Sequence, residues 1–269
     1  MKPTVPDYKL SGDERIEAAR RLAEAEATGV PIDQLSATYP GLTNDDAYGI
    51  QLVNIDRRIR SGSVIAGHKI GLTSLAMQEM LGVDEPDYGH VFDDMIFFED
   101  TPITTADISQ PRIEIELAFV LRESLSGPRC NVADVIRATD FVLPAIEIIG
   151  SRIKDWKLTL PDTIADNASS AAVVLGGRPT RIDAFDPRAV QGAVVKNGET
   201  VLEGRSDAVL GNPLTAVAWL ANAVHSSGVV LEPGHIIMSG SLTAAVDVEP
   251  GDTITAQFDP LGSVSAIFA

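Results

Sequence analysis

A chain of 269 residues, 45% hydrophobic and 22% charged, has the balance of a globular protein with room for a sizeable core, as one large or two small domains. Its formal net charge of −17 repels phosphate backbones and anionic lipid, which sets nucleic acid and membrane surfaces aside as partners. No apolar run is long enough to span a bilayer, the opening MKPTVPDYKLSGDER holds no apolar leader, and a single cysteine, Cys130, allows no internal disulfide, so the expected location is the cytoplasm.

The first sixty or so residues read as helices. Ser11 and Glu14 form a capping box, after which Ile16, Ala19, Leu22, Ala23 and Ala27 recur at helical spacing up to Gly29. A loop with Pro31 and Pro40 follows. Thr43 and Asp46 can cap a second helix, which carries Tyr48, Ile50, Val53 and Ile55 and stops near Gly62. From Val64 the pattern changes to short strand-like runs separated by Gly, Pro and Asp: VIAGHKIGL, MIFF, RIEIELAFVL, FVLPAIEII, SAAVVLGG, AVQGAVVKNG, HIIMSG, DTITAQF and SVSAIF. Asn197–Gly198 marks a hairpin. Helices are expected at 73–81, at 132–138 and from Asn212–Pro213 to about Val224. Strands and helices do not alternate regularly, so the fold class is α+β, with a helical region over 1–63 and a strand-built domain over 64–269.

The chain lacks G-x-G-x-x-G, P-loop, H-E-x-x-H and G-x-S-x-G patterns, Cys130 has no local base, and His68, His90, His225 and His235 show no metal-ligand spacing. The unusual segment is RIEIELAFVL. Strand alternation puts Ile113, Ile115, Leu117 and Phe119 on one face and Glu114, Glu116, Ala118 and Val120 on the other. Two carboxylates on one face of so apolar a strand repel each other and lose hydration unless something compensates. A solvated face is the alternative, though Ala118 and Val120 fit it poorly. Glu147 stands alone in the apolar run FVLPAIEIIG and calls for a partner, a proton or a metal. One divalent cation would satisfy all three acids. An all-oxygen set suits Mg2+ or Mn2+ and leaves coordination positions open for water or substrate. Spacing alone does not make the two strands neighbours.

The ordered segments GHKIGLTSLAMQEMLGV, EPDYGHVFDDM, PRIEIELAFVL, DFVLPAIEIIGSRIKDW, DTIADNASS and IIMSGSLTAAVDVEPGD closely resemble the 2-keto-4-pentenoate hydratase and 4-oxalocrotonate decarboxylase family of the fumarylacetoacetate hydrolase superfamily. The resemblance runs from about Tyr39 to the end. It implies a mixed β-roll and a Mg2+ or Mn2+ ion held by Glu114, Glu116 and Glu147. It also implies a place in bacterial breakdown of aromatic or steroid rings after meta-cleavage, a homo-oligomer, and in some members association with a neighbouring pathway enzyme. The implied reaction adds water to a 2-hydroxy-2,4-dienoate to give a 4-hydroxy-2-oxo acid, and its proton transfers need at least one acid or base.

Lys69, among Ile65, Ala66 and Ile70, is the first candidate for that role and for substrate binding; burial and a nearby metal would lower its pKa, and Gly67 and Gly71 would let backbone approach a ligand. On the residues alone a lysine pairing a surplus acid is an equal reading, and the resemblance favours the site role. Asp87 in EPDYG is the second catalytic candidate, in what reads as a loop. Asp93 and Asp94 are weaker, since FDDM can simply start a turn. Lys157 could assist a substrate anion. The run Asp166, Asn167, Ala168, Ser169, Ser170 reads as a local capping turn, and Ser241 in IIMSGSLT is a candidate substrate contact. The competing activities are decarboxylation of a 2-oxo-3-enedioate and hydration of 2-oxohept-3-enedioate. A non-catalytic partner subunit is more remote, because all three glutamates are in place.

Overall fold

The computed structural model describes residues 6–74, 78–79 and 82–269. Its helical layer comes first: α1 Gly12–Thr28, α2 Leu35–Thr38 and α3 Asn44–Arg60. Both expected capping boxes are present, Ser11 with Glu14 on α1 and Thr43 with Asp46 on α3. Helix α1 turns Ala18, Ala19, Leu22, Ala23 and Ala25 inward and leaves Ile16 exposed, because its apolar face is narrower and more alanine-rich than the spacing suggests. Of the helix expected at 73–81, Gln78 and Glu79 are helical, and residues 75–77 and 80–81 lie outside the described ones. No described helix is long and apolar enough to cross a membrane.

Two sheets follow. The larger runs β2 (Asp87–Phe92), β1 (Ile65–Gly71), β10 (Ile236–Ser241), β5 (Arg112–Leu121), β6 (Thr139–Ile149), β7 (Ser170–Leu175), β3 (Ile96–Phe97), with β11 (Val246–Asp247) also on β5. It is mixed: β1 and β10 are parallel, as are β3 and β7, whereas β5 is antiparallel to both β10 and β6. The smaller sheet is β4 (Pro102–Ile103), β13 (Gly262–Phe268), β12 (Thr253–Asp259), β8 (Gln191–Lys196) and β9 (Glu199–Arg205). Helices α4 (Val132–Ala138) and α6 (Pro213–His225) lie where the sequence expects them, the latter capped by Asn212. The short α5 (Leu160–Ala165) and the strands β2 and β9 are additions to the sequence reading.

Alternation on β5 sorts its side chains as expected. Ile113, Ile115, Leu117 and Phe119 enter the main core with Val194, Ile254, Ala256 and Phe258 of the smaller sheet. On the opposite face Ala118 and Val120 join an apolar cluster with Ile55, Phe92, Leu143 and Met238, so the glutamate-bearing face is covered rather than wet. A third cluster joins Ala18, Ala19, Leu22, Leu35 and Ile50 to Ile153, Leu160 and Ile164. Helix α3 ends at Arg60 and β1 begins at Ile65, and the helices share this core with the later chain.

Candidate metal centre and active site

The face of the larger sheet under the helical layer gathers the acids. Glu114 and Glu116 project from β5, and antiparallel pairing sets Glu147 of β6 directly opposite Glu114. Directly paired residues point to the same side. One carboxylate oxygen from each of the three therefore lies within 4.8 Å of the others, the only such group of ligand atoms among the described residues. Glu116 and Glu147 are fully buried and Glu114 partly so.

Few donors meet these acids. Glu116 Oε2 accepts the Gly240 N–H at 2.8 Å, and Glu147 Oε1 accepts the Ser170 hydroxyl at 2.9 Å. Glu116 Oε1 and Glu147 Oε2 have no hydrogen-bond partner. Burial, and then mutual repulsion with its neighbours, pushes the Glu116 carboxyl well above the ordinary range; burial, partly offset by Lys69, lifts Glu114 to about 7. Converging, unsatisfied carboxylate oxygens fit a hard divalent cation, and nothing in the donor set favours a softer metal.

Lys69, on β1, is buried with Nζ 3.4 Å from Glu147 Oε2, and it donates to the Ala168 carbonyl at 2.9 Å. The sequence expectation is that burial and a nearby metal lower its pKa. Burial does pull it down, but in the metal-free chain Glu147, Asp87, Glu114 and Glu116 outweigh that pull and raise it. Asp87 is not in a loop. It lies on β2 opposite Gly71, buried, with Oδ1 lacking a partner, and burial raises its pKa against the pull of Lys69. The glycines also act differently from expectation. A Cβ on Gly67 would meet the Ile236 carbonyl at 1.9 Å, and one on Gly71 would meet Asp87 Oδ1 at 2.1 Å. Gly67 thus lets two strands close up, and Gly71 makes room for a catalytic candidate.

The remaining candidates sit elsewhere or are committed. Ser241 lies opposite Glu116 across β10 and β5, but its hydroxyl donates to the Thr243 carbonyl at 2.9 Å. The neighbouring Ser239 hydroxyl is buried without a partner, and the Gly240 N–H is the group that reaches Glu116. Lys157 is largely exposed beside Asp155 at 3.4 Å. Asp93 caps the Val64 N–H, and Asp94 pairs with Arg58. Cys130 sits in a loop held by Asn222, its thiol pushed up to about 11 by burial, as suits an inert residue. Sequence reasoning did not single out Ser170 or Arg152. Arg152 is buried and forms a side-chain pair with Asp166. The signal for both was the polar run 166–170 following an isolated arginine, but a local turn explains such a run equally well.

Comparison with known proteins follows the same outline. The family described as fumarylacetoacetate (FAA) hydrolase, C-terminal, matches residues 70–268. A 2-keto-4-pentenoate hydratase of Paraburkholderia xenovorans is 43% identical over 259 residues, 96% of either chain. A 2-oxo-hept-4-ene-1,7-dioate hydratase of Escherichia coli is 43% identical over 93% of this chain and 96% of its own. Among solved structures, 4-oxalocrotonate decarboxylase from Pseudomonas putida G7, complexed with magnesium and adipate, superposes with a TM-score of 0.95 at 37% identity, covering 98% of this chain and 100% of its own. The same enzyme is also known complexed with calcium and acetate.

Proposed function

The chain belongs to the fumarylacetoacetate hydrolase family, and we propose that it is a hydro-lyase adding water to a 2-hydroxy-2,4-dienoate of the 2-keto-4-pentenoate type, giving a 4-hydroxy-2-oxo acid. The observation that carries this reading is the trio Glu114, Glu116 and Glu147, converging beside an apolar cluster with Glu116 Oε1 unpartnered and Glu147 Oε2 met only by Lys69 at 3.4 Å. These three residues would hold Mg2+ or Mn2+. A divalent cation there supplies Lewis-acid polarisation to the carboxylate and 2-oxygen end of the substrate.

The chain's own groups supply the rest. Lys69, fixed as an ammonium beside Glu147, offers a positive charge and a proton donor to an anionic oxygen at the edge of the trio. Asp87 has a partnerless oxygen and a raised pKa, which suits a group that exchanges a proton during the shift of the double bond. Gly71 keeps the path between these two side chains clear. Ser241 can reach a substrate only by releasing the Thr243 carbonyl. The helical layer and the apolar cluster of Ile55, Phe92 and Met238 limit bulk water on this face, so the water that adds is a selected one.

A monocarboxylate substrate is favoured over an enedioate. Among the described residues the buried cationic side chains are Lys69 and Arg152, and each already faces a carboxylate of the chain, Glu147 and Asp166 respectively. A second substrate carboxylate would need a further cation. The deciding experiment incubates the protein with 2-hydroxypenta-2,4-dienoate and, separately, a 2-oxo-3-enedioate, with and without Mg2+. Loss of dienoate absorbance that requires Mg2+, with a product heavier by one water, is expected. A product lighter by carbon dioxide identifies the decarboxylase instead, and no turnover of either by the folded protein identifies a non-catalytic subunit.

A further inference from the structure

The most strained backbone near the trio contributes no ligand to it. Asn167, Ala168 and Ser169, between α5 and β7, have successive φ values of 55, 49 and 56°. Left-handed conformations are unfavourable for residues with a side chain, and three in a row persist only where surrounding structure forces them. The forcing groups can be named. The Asn167 side chain makes two bonds to one residue of β2: Oδ1 accepts the His90 N–H at 2.8 Å, and Nδ2 donates to the His90 carbonyl at 2.9 Å. It thereby imitates a strand pairing with β2. Gly89 lets the turn come this close, since a Cβ there would meet the Asn167 carbonyl oxygen at 2.3 Å. Before the turn, Asp166 is held by Arg152, which also donates to the Asp166 backbone carbonyl. Beyond it, the Ser170 hydroxyl bonds Glu147.

The strain has a visible product. At the crest of the turn the Ala168 carbonyl accepts from Lys69 Nζ at 2.9 Å, the only hydrogen bond of that ammonium to backbone among the described residues. An extended or right-handed path through 167–169 would aim this carbonyl elsewhere, and the ammonium would be left to collapse onto the nearest carboxylate. We infer that Asn167 is a positioning residue: by clamping the left-handed turn to β2 it holds the Ala168 carbonyl where it keeps the Lys69 ammonium at the edge of the glutamate trio, available to substrate. This rests on the role given to Lys69 above.

The test uses the full chain loaded with Mg2+ and labelled with 15N-lysine. The side-chain ammonium resonance of Lys69 is assigned by its loss in Lys69→Met. Asn167→Gly keeps a residue that accepts left-handed backbone but removes both bonds to His90. Asn167→Asp, the gentler change, keeps the acceptor and loses the donor. Expected for Asn167→Gly are Mg2+ affinity by calorimetry within about threefold of the parent, a lost or displaced Lys69 ammonium resonance, and kcat lower by roughly 10- to 100-fold at a KM changed less than about threefold. Asn167→Asp should move the same readouts in the same direction by less. An ammonium resonance unchanged in both variants overturns the inference. So does a loss of Mg2+ affinity that accounts for the fall in kcat, because Asn167 would then act through the trio. Full turnover by Lys69→Met is a separate result: it overturns the role of Lys69 itself, whatever the Asn167 variants do.

Discussion

Asp46 in the helical layer and Glu116 in the larger sheet are equally hidden from solvent, each 0% exposed, yet their surroundings are opposite. Asp46 accepts the backbone N–H groups of Lys9 and Leu10, the Thr43 hydroxyl and the Thr43 N–H at 2.9–3.4 Å. Burial alone would raise its pKa, but these donors hold it below the ordinary value. Asp162 is served the same way by the backbone and hydroxyls of Ser36 and Thr159. Glu116 receives one N–H and is crowded by two other carboxylates, which leaves it far above the ordinary range. A buried acid saturated by donors ties elements together. A buried acid left short of donors is waiting for a cation or a proton, and that difference separates the framework of this protein from its site.

Substitution on each side should break the symmetry in opposite directions. Glu116→Gln is expected to lower Mg2+-dependent turnover by about a thousandfold or more, since several kcal/mol of cation stabilisation would be lost. The same variant, stripped of metal, should melt no lower than the parent, because it removes a buried, repelled carboxylate; turnover assays and thermal melts of one preparation check both. A fully active Glu116→Gln would remove that residue from the ligand set. Asp46→Asn should do the reverse. Calorimetry should show it less stable by roughly 2 kcal/mol, with Tm lower by roughly 4–8 °C, while kcat stays within about twofold.

A smaller effect concerns pH. Burial and its acidic neighbours raise the Glu114 carboxyl to about 7 from the ordinary 4.5. The raised value means the folded, metal-free protein prefers Glu114 protonated. That contribution to stability is complete below about 4.5 and is lost as pH rises through about 7. Mg2+ needs the carboxylate, so protons compete with it at the lower pH. The rise in Tm on adding Mg2+ should therefore be larger at pH 8 than at pH 6, by at most about 4 °C. Equal rises at both pH values would show that Glu114 does not gate cation binding.

Much of this contrast is legible in the sequence, and the boundary of legibility has a physical origin. Ser11 with Glu14 and Thr43 with Asp46 announce their helices because a capping box closes within four residues. Glu114 and Glu116 announce a shared face because strand alternation is local. Asp87 reads as a loop residue because Pro86 and Gly89 flank it, and only its pairing with Gly71 of β1 makes it a strand residue facing Lys69. The direction of the Lys69 pKa shift could not be read either. Burial is foreseeable from apolar neighbours, but the four carboxylates that outweigh it come from β2, β5 and β6.

By itself the sequence determined the helical entry, the strand-rich remainder, the amphipathic split of β5 and the acids that need a partner, all properties of periods and caps spanning a few residues. The tertiary structure decided which acids meet. The pairing of Glu114 with Glu147 joins residues far apart in the chain through the register of β5 on β6, where a slip of one residue would turn Glu147 to the other face. Likewise the run 166–170 looks like any polar turn until β2 lies beside it and Asn167 finds His90. Register and close approach are set by the packing of the whole core, so no local reading of the chain contains them.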